Sequence, residues 1–223
     1  MDIKTYEEHI PYIIIDDLYD SDQLNSIWRE FVFLFDKLNS QDESTERVLK
    51  GALNYDGSML RNSKNICLDE IYPNRNISDI LTCNRKFFDN WNLIFGEGKT
   101  WWIQCIKDSS PVLSRDSTVF SYMEDNDHYG AHKDDTYITT CTWFYQEPKG
   151  FIGGDLILNP KNPGIGKQLS KLYPSIPIEI KNNRMVVFPG FITHQVLPVK
   201  LKDECKGMKG MGRFCITNFI NNT

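Results

Sequence analysis

Arg184-Met-Val-Val-Phe-Pro-Gly-Phe-Ile-Thr-His194-Gln-Val-Leu-Pro-Val199 decides the fold. A Pro-Gly break separates two runs rich in apolar, β-branched and aromatic residues, so the stretch reads as two short strands, 184–188 and 192–199. The same texture extends to both sides. Further strands are expected at 101–106, 117–123, 136–145, 154–158, 176–181 and 212–220, divided by clusters of Gly, Pro and Asn. Eight short strands packed this densely describe a sandwich or barrel. Before Trp101 the period is helical. Residues 21–39 put Leu24, Ile27, Trp28, Phe31, Phe35 and Leu38 on one face, with Asp20 or Ser21 as N-cap. Residues 77–95 do likewise with Ile77, Ile80, Leu81, Phe88, Trp91 and Phe95. Tyr12–Ile15 reads as a strand, and residues 40–75 as a long polar loop with short pieces of structure. The expected fold is mostly β with N-terminal helices: a double-stranded β-helix (jelly-roll) core, its helices packed on one sheet. The chain is expected to be one domain over 1–223, with 1–100 as helical support and 101–223 as the β core.

Composition narrows the class. Of 223 residues, 40% are hydrophobic and 13% aromatic, enough for a packed core. Thirty acidic residues against 25 Lys and Arg leave a net charge of -5, so nucleic acid and anionic membrane are not the expected partners. No run of apolar residues is long enough to span a bilayer, and the acid-ringed start does not read as a signal peptide. Cys67, Cys83, Cys105, Cys141, Cys205 and Cys215 are scattered singly, which argues against a disulfide framework or zinc knuckle and for a reducing, cytoplasmic setting.

The chemistry gathers around three of the four histidines. In His128-Tyr-Gly-Ala-His132-Lys-Asp134, an imidazole and a carboxylate stand two residues apart, on one face if the backbone is extended. His194 follows after enough chain for several strands to wrap back. Two His and one carboxylate leave three octahedral positions open, the arrangement of non-haem Fe(II) oxygenases. Alone, each piece has a plainer reading: a chance His-x-Asp, or a hydrogen-bonded core histidine at 194. Asp135 is a second carboxylate within reach, though period two favours Asp134. His128 reads as a loop histidine.

In family order, residues 117–221 resemble the Fe(II)/2-oxoglutarate-dependent dioxygenase superfamily, in its prolyl 4-hydroxylase-like branch. The matching pieces are Tyr122 and Tyr129 ahead of His132-x-Asp134, then Thr139-Thr-Cys-Thr-Trp-Phe-Tyr145, Phe151-Ile-Gly-Gly-Asp-Leu156, Arg184-Met-Val-Val-Phe-Pro189, His194-Gln-Val-Leu-Pro-Val199 and Gly212-Arg-Phe-Cys-Ile-Thr217. The resemblance implies Fe(II) on His132, Asp134 and His194, with 2-oxoglutarate and O2 as cosubstrates and ascorbate as auxiliary reductant. It implies that Arg213 pairs with the distal carboxylate of 2-oxoglutarate, supported by Thr217, and that Tyr122 donates a hydrogen bond to the cosubstrate. The chain departs from the family in four places. Arg213 stands further from His194 than usual, across a polar insertion, which leaves Lys200 and Lys202 as rivals. Prolyl 4-hydroxylases commonly use lysine in this role. Tyr122 lies one residue further from His132 than the usual tyrosine, and Cys215 takes a place often held by serine.

The implied reaction is hydroxylation of a C–H bond; a carboxylate at 134, rather than a small residue, favours this over halogenation. The favoured substrate is a prolyl residue in a peptide or protein, with residues 40–75 and 159–177 as closing loops and Tyr55, Tyr72 and Tyr173 as flat faces for proline rings. A free amino acid or other small molecule is the alternative on the same fold. A cupin-like metal module without oxygenase activity would need the triad but not Arg213. A nucleic-acid demethylase is disfavoured by the charge balance.

Overall fold

Alternation along one strand, β15 (Arg213–Asn221), sorts the second half of the chain into two environments. Phe214 and Ile216 turn toward a helical layer, while Arg213, Cys215 and Thr217 turn toward a cavity. The computed structural model describes residues 1–39, 48–49, 57, 59–89, 102–103, 115–159 and 174–221. In chain order its other strands are β1 (Asp2–Tyr6), β2 (Tyr12–Asp16), β3 (Val48–Leu49), β4 (Arg61–Asn62), β5 (Lys64–Cys67), β6 (Arg115–Met123), β7 (His128–His132) and β8 (Ile138–Phe144). They continue with β9 (Phe151–Gly153), β10 (Leu156–Leu158), β11 (Ile176–Ile178), β12 (Arg184–Pro189), β13 (His194–Val196) and β14 (Val199–Leu201). The helices are α1 (Ser21–Asn39), α2 (Leu68–Ile71) and α3 (Asp79–Asp89).

A larger antiparallel sheet runs β1-β2-β12-β8-β15-β6-β5-β3, and a smaller one β11-β10-β13-β7-β4; β14 and β9 form a separate ribbon. Side chains from the two sheets meet in a core that includes Trp143, Phe188, Leu156 and Leu158. This is the jelly-roll expected from the sequence. The outer face of the larger sheet carries Phe120, Tyr122, Phe144 and Phe214, which bury Ile27, Phe31 and Leu34 of α1 and Ile80 and Leu81 of α3. Helix α1 starts where expected. The Asp20 carboxylate accepts from the backbone N–H groups of Asp22 and Gln23, and the Gln23 side chain accepts in return from the N–H of Asp20. That reciprocal capping box satisfies donors that the first helical turn leaves open. No helix among the described residues is long and apolar enough to cross a membrane.

Several expectations are corrected. Helix α3 begins at Asp79, because Ser78 caps it with its hydroxyl on the N–H of Leu81, and Arg75–Ile77 form a separate 3-10 turn. Residues 90–95 lie outside the described residues. Trp102 and Ile103 are buried and helical, not part of a strand 101–106; a short apolar run cannot distinguish a buried helix from a strand by its period. Over 40–75 the short pieces of structure expected within the loop are β3, β4, β5 and α2. Strand β7, which carries His132, lacks the β-branched residues that would have marked it.

Phe31 is 1% exposed and touches the rings of Trp28, Phe120, Phe144 and Phe214. Phe31→Ala should therefore lower stability by about 3–5 kcal/mol in urea unfolding. The cavity lies on the other face of the sheet, so the folded fraction should retain its ligand binding.

Candidate metal centre

Strands β7 and β13 pair with His132 directly opposite His194, so the sheet itself brings the two imidazoles together, ring centroids 4.2 Å apart. Asp134 completes the cluster: its carboxylate oxygens lie 3.6 Å from His132 Nε2 and 3.4 Å from His194 Nε2. Donor atoms of the three residues lie within 4.8 Å of one another, a set able to hold a metal ion. Asp134 is not on the strand, as period two had implied, because β7 ends at His132. Tertiary bonds bring it in. Its N–H donates to the carbonyl of Gly190, and the Thr139 hydroxyl on β8 donates to Oδ2 at 2.6 Å. Gly190 permits this approach, since a Cβ there would overlap Thr136. Asp135 is exposed, and His128 does not line the cavity.

Both imidazoles are oriented for ligation. His132 Nδ1 lies 2.8 Å from the carbonyl of Gly130, and His194 Nδ1 2.8 Å from that of Ile192. A carbonyl only accepts, so each Nδ1 carries the proton and each Nε2 lone pair faces Asp134. Burial, reinforced by the neighbouring His194 and by Arg61, lowers the pKa of His132 to about 4. Burial likewise pushes the Asp134 carboxyl up, against the pull of His194 and the Thr139 hydroxyl. Two imidazoles with their Nε2 atoms turned inward, beside a desolvated carboxylate, form a donor set that a dication would stabilise.

The triad lines a cavity of about 140 Å³ between the sheets. Arg213 reaches it from β15 at 2% exposure. Its guanidinium lies 5.8 Å from the Trp143 ring centre and one N–H points at Met123 Sδ, 3.4 Å away. Its Nε has no hydrogen-bond partner among the described residues. A buried cation with an unsatisfied donor fits an anionic ligand. Gly154 makes room for it: a Cβ there would stand 3.3 Å from Arg213 Cδ and 2.9 Å from Val199. This is a physical reason for glycine in the Gly-Gly-Asp-Leu stretch. Thr217 also lines the cavity, whereas Lys200 and Lys202 do not, so of the rival cations only Arg213 faces it.

Tyr122 is a correction. It lies on the outer face of β6, fully buried against Phe35 and Phe214, with its hydroxyl accepting from the N–H of Gly212. Burial pushes its phenol up to about 12. The tyrosine stands one residue from the family's usual place, and one residue along a strand reverses the face; Met123 faces the cavity instead. Tyr129 does line it, stacked on His132 with ring centroids 3.5 Å apart, and Arg61 lies 5.4 Å from its ring centre. The sequence alone assigned Tyr129 no role at the site and did not point to Arg61. Tyr72 packs in the helical layer, away from the cavity. Tyr55, Tyr173 and most of the loop 159–177 lie outside the described residues.

Residues 117–221 match the 2OG-Fe(II) oxygenase superfamily. No curated protein matches the chain. Among solved structures it is similar to a Pseudomonas putida prolyl-4-hydroxylase, at 12% identity over 95% of this chain and 92% of that one, with a TM-score of 0.53. It is also similar to a Trichoplax adhaerens prolyl hydroxylase in complex with a hypoxia inducible factor peptide fragment (14% identity, 95% and 83% covered, TM-score 0.54). A third is a non-heme alpha ketoglutarate dependent epimerase from nogalamycin biosynthesis (9% identity, 96% and 79% covered, TM-score 0.50). At these identities the structural likeness establishes the fold.

The lowered pKa of His132 predicts that, in metal-free protein, the ring stays neutral as the pH falls through 6 and protonates only near about 4, as read by NMR of the imidazole. The sign for stability follows. Between its unfolded value of about 6.5 and about 4, the unfolded chain takes up a proton that the folded chain refuses. This contribution therefore lowers stability as the pH falls through that window, and levels off below it. Asp134 contributes the opposite slope, so the comparison that isolates His132 is His132→Gln, which should lack its part of the loss.

Proposed function

Residues 117–221 belong to the 2OG-Fe(II) oxygenase superfamily, and from that premise we propose that the chain hydroxylates a C–H bond of a prolyl residue in a peptide or protein. The chain is a 2-oxoglutarate-dependent dioxygenase that uses Fe(II), 2-oxoglutarate and O2. What carries the residue assignment is Arg213: a buried guanidinium, its Nε unpartnered among the described residues, in the same cavity as two oriented imidazoles and a carboxylate. A metal-binding module without cosubstrate gives this cation no purpose.

In this reading His132, Asp134 and His194 hold Fe(II). When bound, the metal and cosubstrate supply the oxidation, in which 2-oxoglutarate is converted to succinate and CO2 and one oxygen atom is placed on the substrate carbon. The protein's part is positioning. The Nδ1–H bonds to Gly130 and Ile192 keep both imidazole lone pairs turned inward, and Thr139 keeps Asp134 between them. Arg213 presents a planar fork to the distal carboxylate of 2-oxoglutarate, with the Thr217 hydroxyl beside it. The walls contributed by Val119, Met123, Leu156 and Val196 exclude water from the reacting atoms. A carboxylate at 134, where a small residue would leave room for a halide, favours hydroxylation over halogenation. Likeness in fold to two prolyl hydroxylases, one carrying a peptide, supports the prolyl substrate. The proposal treats 1–223 as one working unit, with the helices bracing the sheet that holds Arg213. It includes ascorbate as reductant and a cytoplasmic setting, in keeping with the free thiols of the five described cysteines.

Two outcomes test the residue roles. Asp134→Ala should lose Mn(II) binding, followed by electron paramagnetic resonance, while circular dichroism stays that of the parent. Arg213→Ala should keep Mn(II) and lose roughly 3–5 kcal/mol of 2-oxoglutarate affinity, as for one partner removed from a buried ion pair; the same loss from Lys202→Ala instead would refute the role of Arg213. For the substrate, turnover of 2-oxoglutarate to succinate should rise with proline-containing peptides, which gain one oxygen in mass. Stimulation by free proline alone would replace the peptide reading with a free amino acid.

A further inference from the structure

Strands β8 and β15 place two thiols side by side in the cavity wall. Their register sets Cys141 opposite Thr217 and Cys215 opposite Trp143, so the cysteines are diagonal neighbours on one face of the sheet. Both line the cavity, yet they are only 8% and 2% exposed. Their sulfurs lie 3.8 and 3.6 Å from the same Thr217 hydroxyl. Cys215 lies two residues from Arg213 and two from Thr217 on the same strand face, between the groups assigned to the distal carboxylate of the cosubstrate. The other described cysteines, Cys67, Cys83 and Cys205, line no part of this cavity.

We propose that Cys141 and Cys215 are a peroxide-sensitive thiol pair whose oxidation reversibly closes the cosubstrate end of the cavity. The closure rests on the reading of Arg213 and Thr217 given above. Burial alone would raise the pKa of either thiol. For Cys215, the adjacent Cys141 thiol and the positive Arg213 outweigh it and draw the thiol down, while Cys141 is pushed up. Cys215 is therefore the nucleophile. Its thiolate attacks hydrogen peroxide: an S–O bond forms, the O–O bond breaks, and the leaving hydroxide is protonated to water. Cys141 then attacks the sulfenic sulfur. The S–S bond forms, the S–O bond breaks, and the hydroxide leaves with the Cys141 proton as a second water. Two thiols and one peroxide become one disulfide and two waters, the sulfurs oxidised and the peroxide reduced. Diagonal cross-strand cysteines meet outside the preferred disulfide geometry, and strained disulfides are the easily reduced ones, which suits a reversible device. The bridge draws Cys215 away from its place between Arg213 and Thr217 and reshapes the wall against which the carboxylate would rest.

The test uses the full chain, reduced and loaded with Mn(II), before and after equimolar hydrogen peroxide and again after dithiothreitol. Peptide mass spectrometry should find a 141–215 cross-link. Calorimetric 2-oxoglutarate affinity should fall at least tenfold on oxidation and return on reduction. Cys141→Ser and Cys215→Ser should each abolish both the cross-link and the peroxide-induced loss. No cross-link, a cross-link that leaves affinity unchanged, or an equal loss in the serine variants would overturn the proposal. If the reduced parent fails to bind 2-oxoglutarate at all, the cosubstrate reading falls and takes this one with it. Binding without a cross-link removes this one alone.

Discussion

Antiparallel pairing of β7 with β13 sets His132 opposite His194, and the geometry of the site depends on that register. The pairing is not regular. Val196 faces Tyr129 while His194 faces His132, so three steps on β7 match two on β13, and a bulge falls at Gly130 and Ala131. A bulge changes which side chains share a face. Tyr129 and His132 have opposite parity in sequence, yet both line the cavity, stacked on each other. The N–H of Gly130 is held by the carbonyl of Leu60 at 2.6 Å, and a Cβ at 130 would press on the Leu60 side chain. One small residue thus allows the irregularity that gives the cavity both its aromatic wall and its histidine pair.

The second sheet supplies what the first cannot. Thr139 of β8 and Gly190, just after β12, hold Asp134 against histidines that belong to the opposite sheet, so the triad straddles the gap between the layers. Arg213, Cys215 and Thr217 come from β15, in the middle of the larger sheet and hydrogen-bonded on both edges by β6 and β8. Groups mounted on such strands hold their positions better than groups on loops. The outer face of these strands is an aromatic layer packed on α1, which gives the N-terminal helix a role in a site it never touches.

Charge explains why the cavity suits an anionic ligand beside a metal. Among the described residues that line it, Asp134 is the one carboxylate, against the two guanidiniums of Arg61 and Arg213. Arg213 is buried with its Nε unpartnered among the described residues, and Asp134 is held up in pKa by desolvation. A dication relieves the carboxylate, and a carboxylate ligand relieves the guanidinium. Each partner supplies the counter-charge that the protein leaves out.

Period and composition alone carried much of this molecule. The amphipathic face of 21–39, the capping residue Asp20, six of the eight strand segments with ends shifted by about one to three residues, and the approximate span of α3 up to the limit of the described residues follow from local patterns that survive folding unchanged. Tertiary structure decided the rest. Resemblance and counting put Tyr122 on the cosubstrate, but the pleat turned it into the helical layer, because a single residue of offset reverses a side chain and no local signal records which face a register will bury. Asp134 reached the histidines through Gly190 and Thr139, not through strand alternation, and Tyr129 joined them through a bulge. That Arg213 lines the cavity, and Lys200 and Lys202 do not, came from which side chain entered the gap between the sheets. Each of these depends on contacts between residues far apart in sequence, and such contacts are settled only when the sheets close on one another.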